Sequence, residues 1–99
     1  MKFEIPKKFK IGGVDHEVVF QKTVGDNCDF GQWDSVGTIK IALMVGSDEV
    51  SPSRQRQTFW HELTHSILST MRKDELNEDE SFVNTFASFL SGAIDTMEQ

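Results

Sequence analysis

The stretch Phe59-Trp60-His61-Glu62-Leu63-Thr64-His65 constrains the fold more than any other part of the chain, because it sets two histidines four positions apart with a glutamate beside the first. On an α-helix, residues four apart lie one turn apart on the same face, so both imidazoles can reach a single cation. Trp60, Leu63, Ile67 and Met71 recur at helical spacing, with Phe59 and Leu68 flanking them, which predicts a helix with one face in a core. In this HExxH pattern His61 and His65 are the candidate metal ligands, and Glu62 is the candidate general base toward water activated at the metal. The bland alternative is a buried helix with two hydrogen-bonded histidines and a surface glutamate.

At 99 residues the chain has room for one modest core, and a single domain spanning 1-99 is expected. Its formal charge of -6, with ten scattered Lys and Arg, argues against nucleic acid as a partner, since phosphate contact needs clustered cations. The one cysteine, Cys28, has no partner for an internal disulfide. No apolar run follows Met1-Lys2, so neither a signal peptide nor a membrane partner is expected and the default address is cytoplasmic.

The first 45 residues carry strand signals. Phe3 and Ile5 alternate with Lys2 and Glu4, Pro6 interrupts, and Phe9 and Ile11 resume the alternation up to Gly12-Gly13, a hairpin turn signal. The return strand puts Val14, His16, Val18 and Phe20 on one face. His16 therefore reads either as a satisfied histidine at the core edge or as a catalytic group that steadies a tetrahedral oxyanion. Because the chain has no Tyr, His16, Arg54 and Arg56 are the candidates for that role by elimination, the arginines otherwise forming a solvated face. Gly25 to Gly37 reads as irregular turn and loop. Within it Cys28 is either a further metal ligand that keeps the site latent or, more simply, a small buried residue. Thr38 to Val45 alternates cleanly, with Ile39, Ile41, Leu43 and Val45 on one face. It is read as a plain core strand or as a sheet-edge strand along which a peptide or protein substrate adds in extended form.

Ser51-Pro52 opens the metal helix, expected over 52-72, with Ser as cap and Pro at the first position. A polar connection, Lys73 to Asn77, reads as a loop. The second helix, expected over 78-97, starts near Asn77 or Asp79, each able to cap, with Asn77 and Glu80 spaced as a capping box. Phe82, Phe86, Phe89, Ala93 and Met97 form one apolar stripe and Val83, Ala87, Leu90 and Ile94 another, so this helix is expected to be buried against the sheet or the first helix. Glu80 and Asn84 lie beside the second stripe, where an unpaired carboxylate is costly and a metal would resolve the cost. Catalytic zinc takes three protein ligands, and two His with one Glu form a standard set, so Glu80 is the expected third ligand, Glu78 the fallback, and Asn84 a group that orients a ligand.

HELTH, a short connection, and then Glu80-Ser-Phe-Val-Asn84-Thr-Phe-Ala87 together resemble the gluzincin metallopeptidases, whose second motif sets the ligand Glu four residues before an Asn or Asp. The chain is most similar to the minimal members, the ImmA/IrrE-type peptidases and small domains found in phages and mobile elements. The resemblance covers about Thr38 to Leu90. It implies an α+β fold, a small twisted, mainly antiparallel sheet of three or four strands packed on a metal helix and a ligand helix. It also implies one Zn2+ held by His61, His65 and Glu80, with Glu62 as base.

The expected activity is zinc-dependent peptide hydrolysis, in which Glu62 takes a proton from water and passes it to the leaving amine. The alternative from another class is a latent or non-catalytic zinc-stabilised module that binds a partner protein.

Overall fold

A computed structural model of the chain describes residues 3-97. Met1, Lys2, Glu98 and Gln99 lie outside the described residues, and with them the Lys2 end of the first expected strand.

β1 (Lys8–Ile11) and β2 (Val14–Gln21) pair antiparallel around Gly12-Gly13. Both glycines have positive φ, +54° and +83°, as a two-residue turn matched to strand twist requires. A single irregular turn, α1 (Gly25–Cys28), leads to β3 (Gly31–Trp33) and then to β4 (Thr38–Ala42). The sheet order is β1-β2-β4-β3. β4 runs parallel to β2, with Val18 opposite Ile39, and antiparallel to β3, with Gly31 opposite Ile41. The fold is therefore α+β with a mixed four-stranded sheet.

Three expectations about this half of the chain are corrected. Gly25 to Gly37 is not all irregular, since β3 forms within it by hairpin pairing with β4 across Asp34 to Gly37. The strand expected over Thr38 to Val45 ends at Ala42. Leu43 bends outward, and β5 (Met44–Val45) folds back on β6 (Asp48–Glu49) across Gly46, whose φ is +61°. β4 is also an interior strand. β2 and β3 occupy both of its edges, so a peptide cannot add along it, and β3 is the open strand on that side.

α2 (Pro52–Thr70) begins as expected, with Ser51 Oγ accepting from the Arg54 amide at 3.1 Å. Its end is closed by Lys73 N–H to Leu68 O at 2.9 Å and Arg72 N–H to Ser69 O at 3.0 Å, with Arg72 at φ +58°. The connection read as a loop holds a helical turn, α3 (Asp74–Glu78), before α4 (Glu80–Thr96). Asp79 caps α4, its Oδ1 accepting from the Phe82 amide at 3.1 Å.

The layers run sheet, α2, α4. Phe59 and Trp60 on α2 pack with Val18, Ile39 and Ile41 of the sheet, and Ala87 closes the same cluster from α4. The Phe59 ring meets Phe9 edge-on at 5.9 Å and stacks on Phe3 at 5.7 Å. Arg56 Nε lies 3.4 Å from Asp95 Oδ1, an ion pair that joins the start of α2 to the end of α4. Only one of the two apolar stripes of α4 is covered. Val83 and Ala87 are buried, whereas Phe86 and Met97 are exposed and Phe89 is 75% exposed. An outermost helix with a single neighbouring layer has only one face to bury, so the expectation of a helix buried around most of its circumference is corrected.

Candidate metal centre

The histidines sit where the helical period puts them. On α2 the His61 and His65 ring centroids lie 5.0 Å apart, both facing the start of α4. The Asp79 cap fixes the first turn of α4, and Glu80, its first residue, reaches across to α2. Glu80 Oε1 is 3.3 Å from His65 Nε2, and Oε2 is 3.7 Å from His61 Nε2. One ligand atom from each of the three residues falls within 4.8 Å of the others, an arrangement that could hold a metal ion. In a tetrahedral site with bonds of about 2.0–2.1 Å, ligand atoms stand about 3.3 Å apart, so the spacing fits one.

The protonation pattern supports the fit. His65 Nδ1 is 2.6 Å from Asn77 Oδ1. An amide oxygen only accepts, so Nδ1–H donates to it, and Nε2 is the ring nitrogen turned toward Glu80. The 3.3 Å between Nε2 and Glu80 Oε1 suits a shared proton or a metal ion. The Trp33 ring stacks on His65, with centroids 5.6 Å apart and planes 12° apart, and holds the imidazole from its other side. Burial above all, and then the His65 charge, lowers the His61 pKa against the opposing pull of Glu80, which favours the neutral, ligating form.

Glu62 is buried beside this group. Desolvation first, then the charges of Glu80 and Asp29, push its carboxyl up to about 7. It lines a cleft of about 400 Å³ together with His61, Gly31, Arg54, Thr58 and Asn84. Gly31 lets β3 pass close to α2 here. A Cβ at that position would lie 2.5 Å from Thr58 Cγ2, 2.8 Å from Lys40 O and 3.3 Å from Glu62 Cγ.

Other candidates fall elsewhere. His16 is the satisfied core histidine of its two readings: Nδ1–H donates to Val14 O at 2.9 Å and the ring stacks on Phe9 at 5.3 Å. It borders a separate cavity with Lys8, Asp15 and Gly37, so the oxyanion role is withdrawn. Arg56 is engaged by Asp95, while Arg54 stands in the cleft wall. Cys28 is exposed, with Sγ–H donating to Gly25 O at 3.1 Å, and neither it nor Glu78 joins the three converging residues. Asn84 is exposed and, among the described residues, makes no hydrogen bond to His61, His65 or Glu80. Asn77 holds the position expected of it. Asn77 and Trp33 are the residues that the sequence did not reveal as part of the site. Asn77 reads locally as a cap, and the signal for Trp33 is a large aromatic in an otherwise polar segment.

Comparison with protein-family models, curated proteins and solved structures finds no match.

Proposed function

We propose that the chain is a zinc-dependent metallopeptidase of gluzincin type. The observation that carries this reading is the convergence of His61, His65 and Glu80, with His65 Nε2 3.3 Å from the Glu80 carboxylate and the buried Glu62 carboxyl on the adjoining cleft wall. His61, His65 and Glu80 would hold the ion. Zinc bound there supplies Lewis acidity, lowering the pKa of water to about 7 and polarising a carbonyl. Glu62, with a pKa near 7, accepts a proton from the attacking water and delivers it to the departing amine nitrogen. Asn77 and Trp33 keep His65 in the ligating tautomer and orientation. β3 is the open strand bordering the cleft through Gly31, and an extended peptide added along it satisfies its backbone groups.

The test is cleavage of unstructured peptides by zinc-loaded wild type and by Glu62→Gln. The expected result is cleavage by wild type, and loss of cleavage with zinc stoichiometry unchanged in the variant. Absence of cleavage by zinc-loaded wild type would favour the second reading, a zinc-stabilised interaction module. The observation on that side is the uncovered Phe86, Phe89 and Met97 stripe of α4.

A further inference from the structure

Arg54 is the one Lys or Arg among the residues that line the cleft. Its guanidinium carbon lies 4.3 Å from the centroid of the Phe30 ring, and Nη1–H donates to Gln57 Oε1 at 3.4 Å. A guanidinium stacked on an aromatic face keeps its in-plane N–H donors available for a carboxylate. The chain has 16 acidic residues against ten basic ones, yet among the described residues no carboxylate lies within 4.0 Å of Arg54. Arg56, one helical step away, is by contrast paired with Asp95. Of the acids in the cleft, Asp29 accepts from Gln32 Nε2 at 3.5 Å, and Glu62 is buried where the charges of Glu80 and Asp29 act on it. Arg54 is thus a charged donor group in the cleft wall with no carboxylate in ion-pair contact among the described residues, Asp48 and Glu49 sharing with it only an adjoining cavity.

We infer that Arg54 is the specificity residue of a subsite that takes a carboxylate of the bound peptide, either an acidic side chain or the chain's own C-terminus. This rests on the peptidase reading for the identity of the ligand as a peptide. His61 lies seven positions after Arg54, about 10 Å along the helix axis. An extended peptide advances about 3.3 Å per residue, which places the recognised carboxylate roughly three residues from the bond to be cut.

The test is fluorescence anisotropy with the full-length Glu62→Gln protein loaded with zinc, which leaves the peptide intact. The probes are short neutral peptides carrying one Glu at successive positions, each matched to its Gln counterpart, and one sequence with either a free C-terminal carboxylate or an amide. At one position, or at the C-terminus, the carboxylate form should bind about fivefold tighter, the size expected of an exposed ion pair. The contrast should weaken with added salt, collapse toward one when Arg54→Gln is added, and survive in part with Arg54→Lys. A contrast confined to Glu scanning identifies an acidic side chain, and one confined to the terminus identifies the C-terminal carboxylate. Equal binding of all matched probes, lack of binding by any, or a contrast that survives Arg54→Gln overturns the inference. The two readings separate. Cleavage by wild type without a carboxylate contrast removes the subsite alone, and a contrast without cleavage removes the peptidase assignment alone.

Discussion

The side chain of Asn77 holds the ring of His65: Nδ1–H donates to its amide oxygen across 2.6 Å, and Nε2 is left facing the Glu80 carboxylate at 3.3 Å. A turn between two helices, with little core packing of its own, thereby orients one member of the group that could hold a metal ion.

Replacing Asn77 should weaken the metal site without removing a ligand. Asn77→Ala is expected to lower zinc affinity by about 10- to 100-fold, and Asn77→Asp, which keeps an acceptor, to retain most of it. Competition against a chromophoric chelator reads both. Affinities equal to wild type in Asn77→Ala would show that the hydrogen bond does not orient the ring.

The metal-free protein should show a pH signature of Glu62. Its folded pKa is raised from 4.5 to about 7, so the folded state holds this proton more tightly than the unfolded chain. That contribution is fully present below about 4.5 and is lost as pH rises through about 7. His61, lowered from 6.5, acts in the opposite sense: its contribution is present above 6.5 and is lost as pH falls through the folded value. Comparing wild type with Glu62→Gln in the presence of a chelator cancels the histidine part. The stability of the variant relative to wild type should rise by about 2 kcal/mol between about pH 5 and about pH 8. Urea unfolding measures it, and a difference independent of pH would contradict the raised pKa.

The close passage of β3 over α2 should make Gly31 intolerant of a side chain. Two of the three nearest atoms to a Cβ there, Thr58 Cγ2 and Glu62 Cγ, belong to the cleft wall, and the third is the backbone oxygen of Lys40. Gly31→Ala is expected to destabilise the protein by about 1–3 kcal/mol, because the backbone contact relaxes only by moving a strand. Thermal or urea unfolding tests this, and an unchanged midpoint would show that the strand has room to shift.

The end of α2 offers the opposite case. Arg72 occupies the left-handed position that closes the helix, where glycine carries no steric penalty. Arg72→Gly should raise stability by about 0.5–1 kcal/mol and leave zinc affinity unchanged, since the residue lies away from the cleft. A loss of stability would mean that the Arg72 side chain contributes more than the strained backbone costs.

The parts of this structure that follow a short period were legible in the sequence. His61 and His65 follow from the helical repeat, the first hairpin from Gly12-Gly13, and the start of α2 from Ser51-Pro52. Glu80 was identified for a reason that only partly holds. Its side chain is 63% exposed, so burial beside an apolar stripe does not force it inward, and its place at the first turn of α4 is what aims it at α2. What depends on pairing and packing rather than on a local repeat was not legible. β3 is three residues long and exists because Ile39 and Ile41 of β4 pair with Trp33 and Gly31. Asn77 carries the same local signal whether it caps a helix or orients a histidine. The periodicity of α4 revealed two apolar stripes, but the number of layers that would cover them was set by the whole fold, which leaves Phe89 facing outward.

The most direct test of the central claim is the zinc-binding isotherm of the wild-type protein set beside that of Glu80→Ala. One ion per chain is expected in the wild type and, in the variant, a loss of affinity greater than the about 10- to 100-fold that follows loss of an orienting partner. Indistinguishable isotherms, or no saturable binding by the wild type, would contradict a centre built from His61, His65 and Glu80.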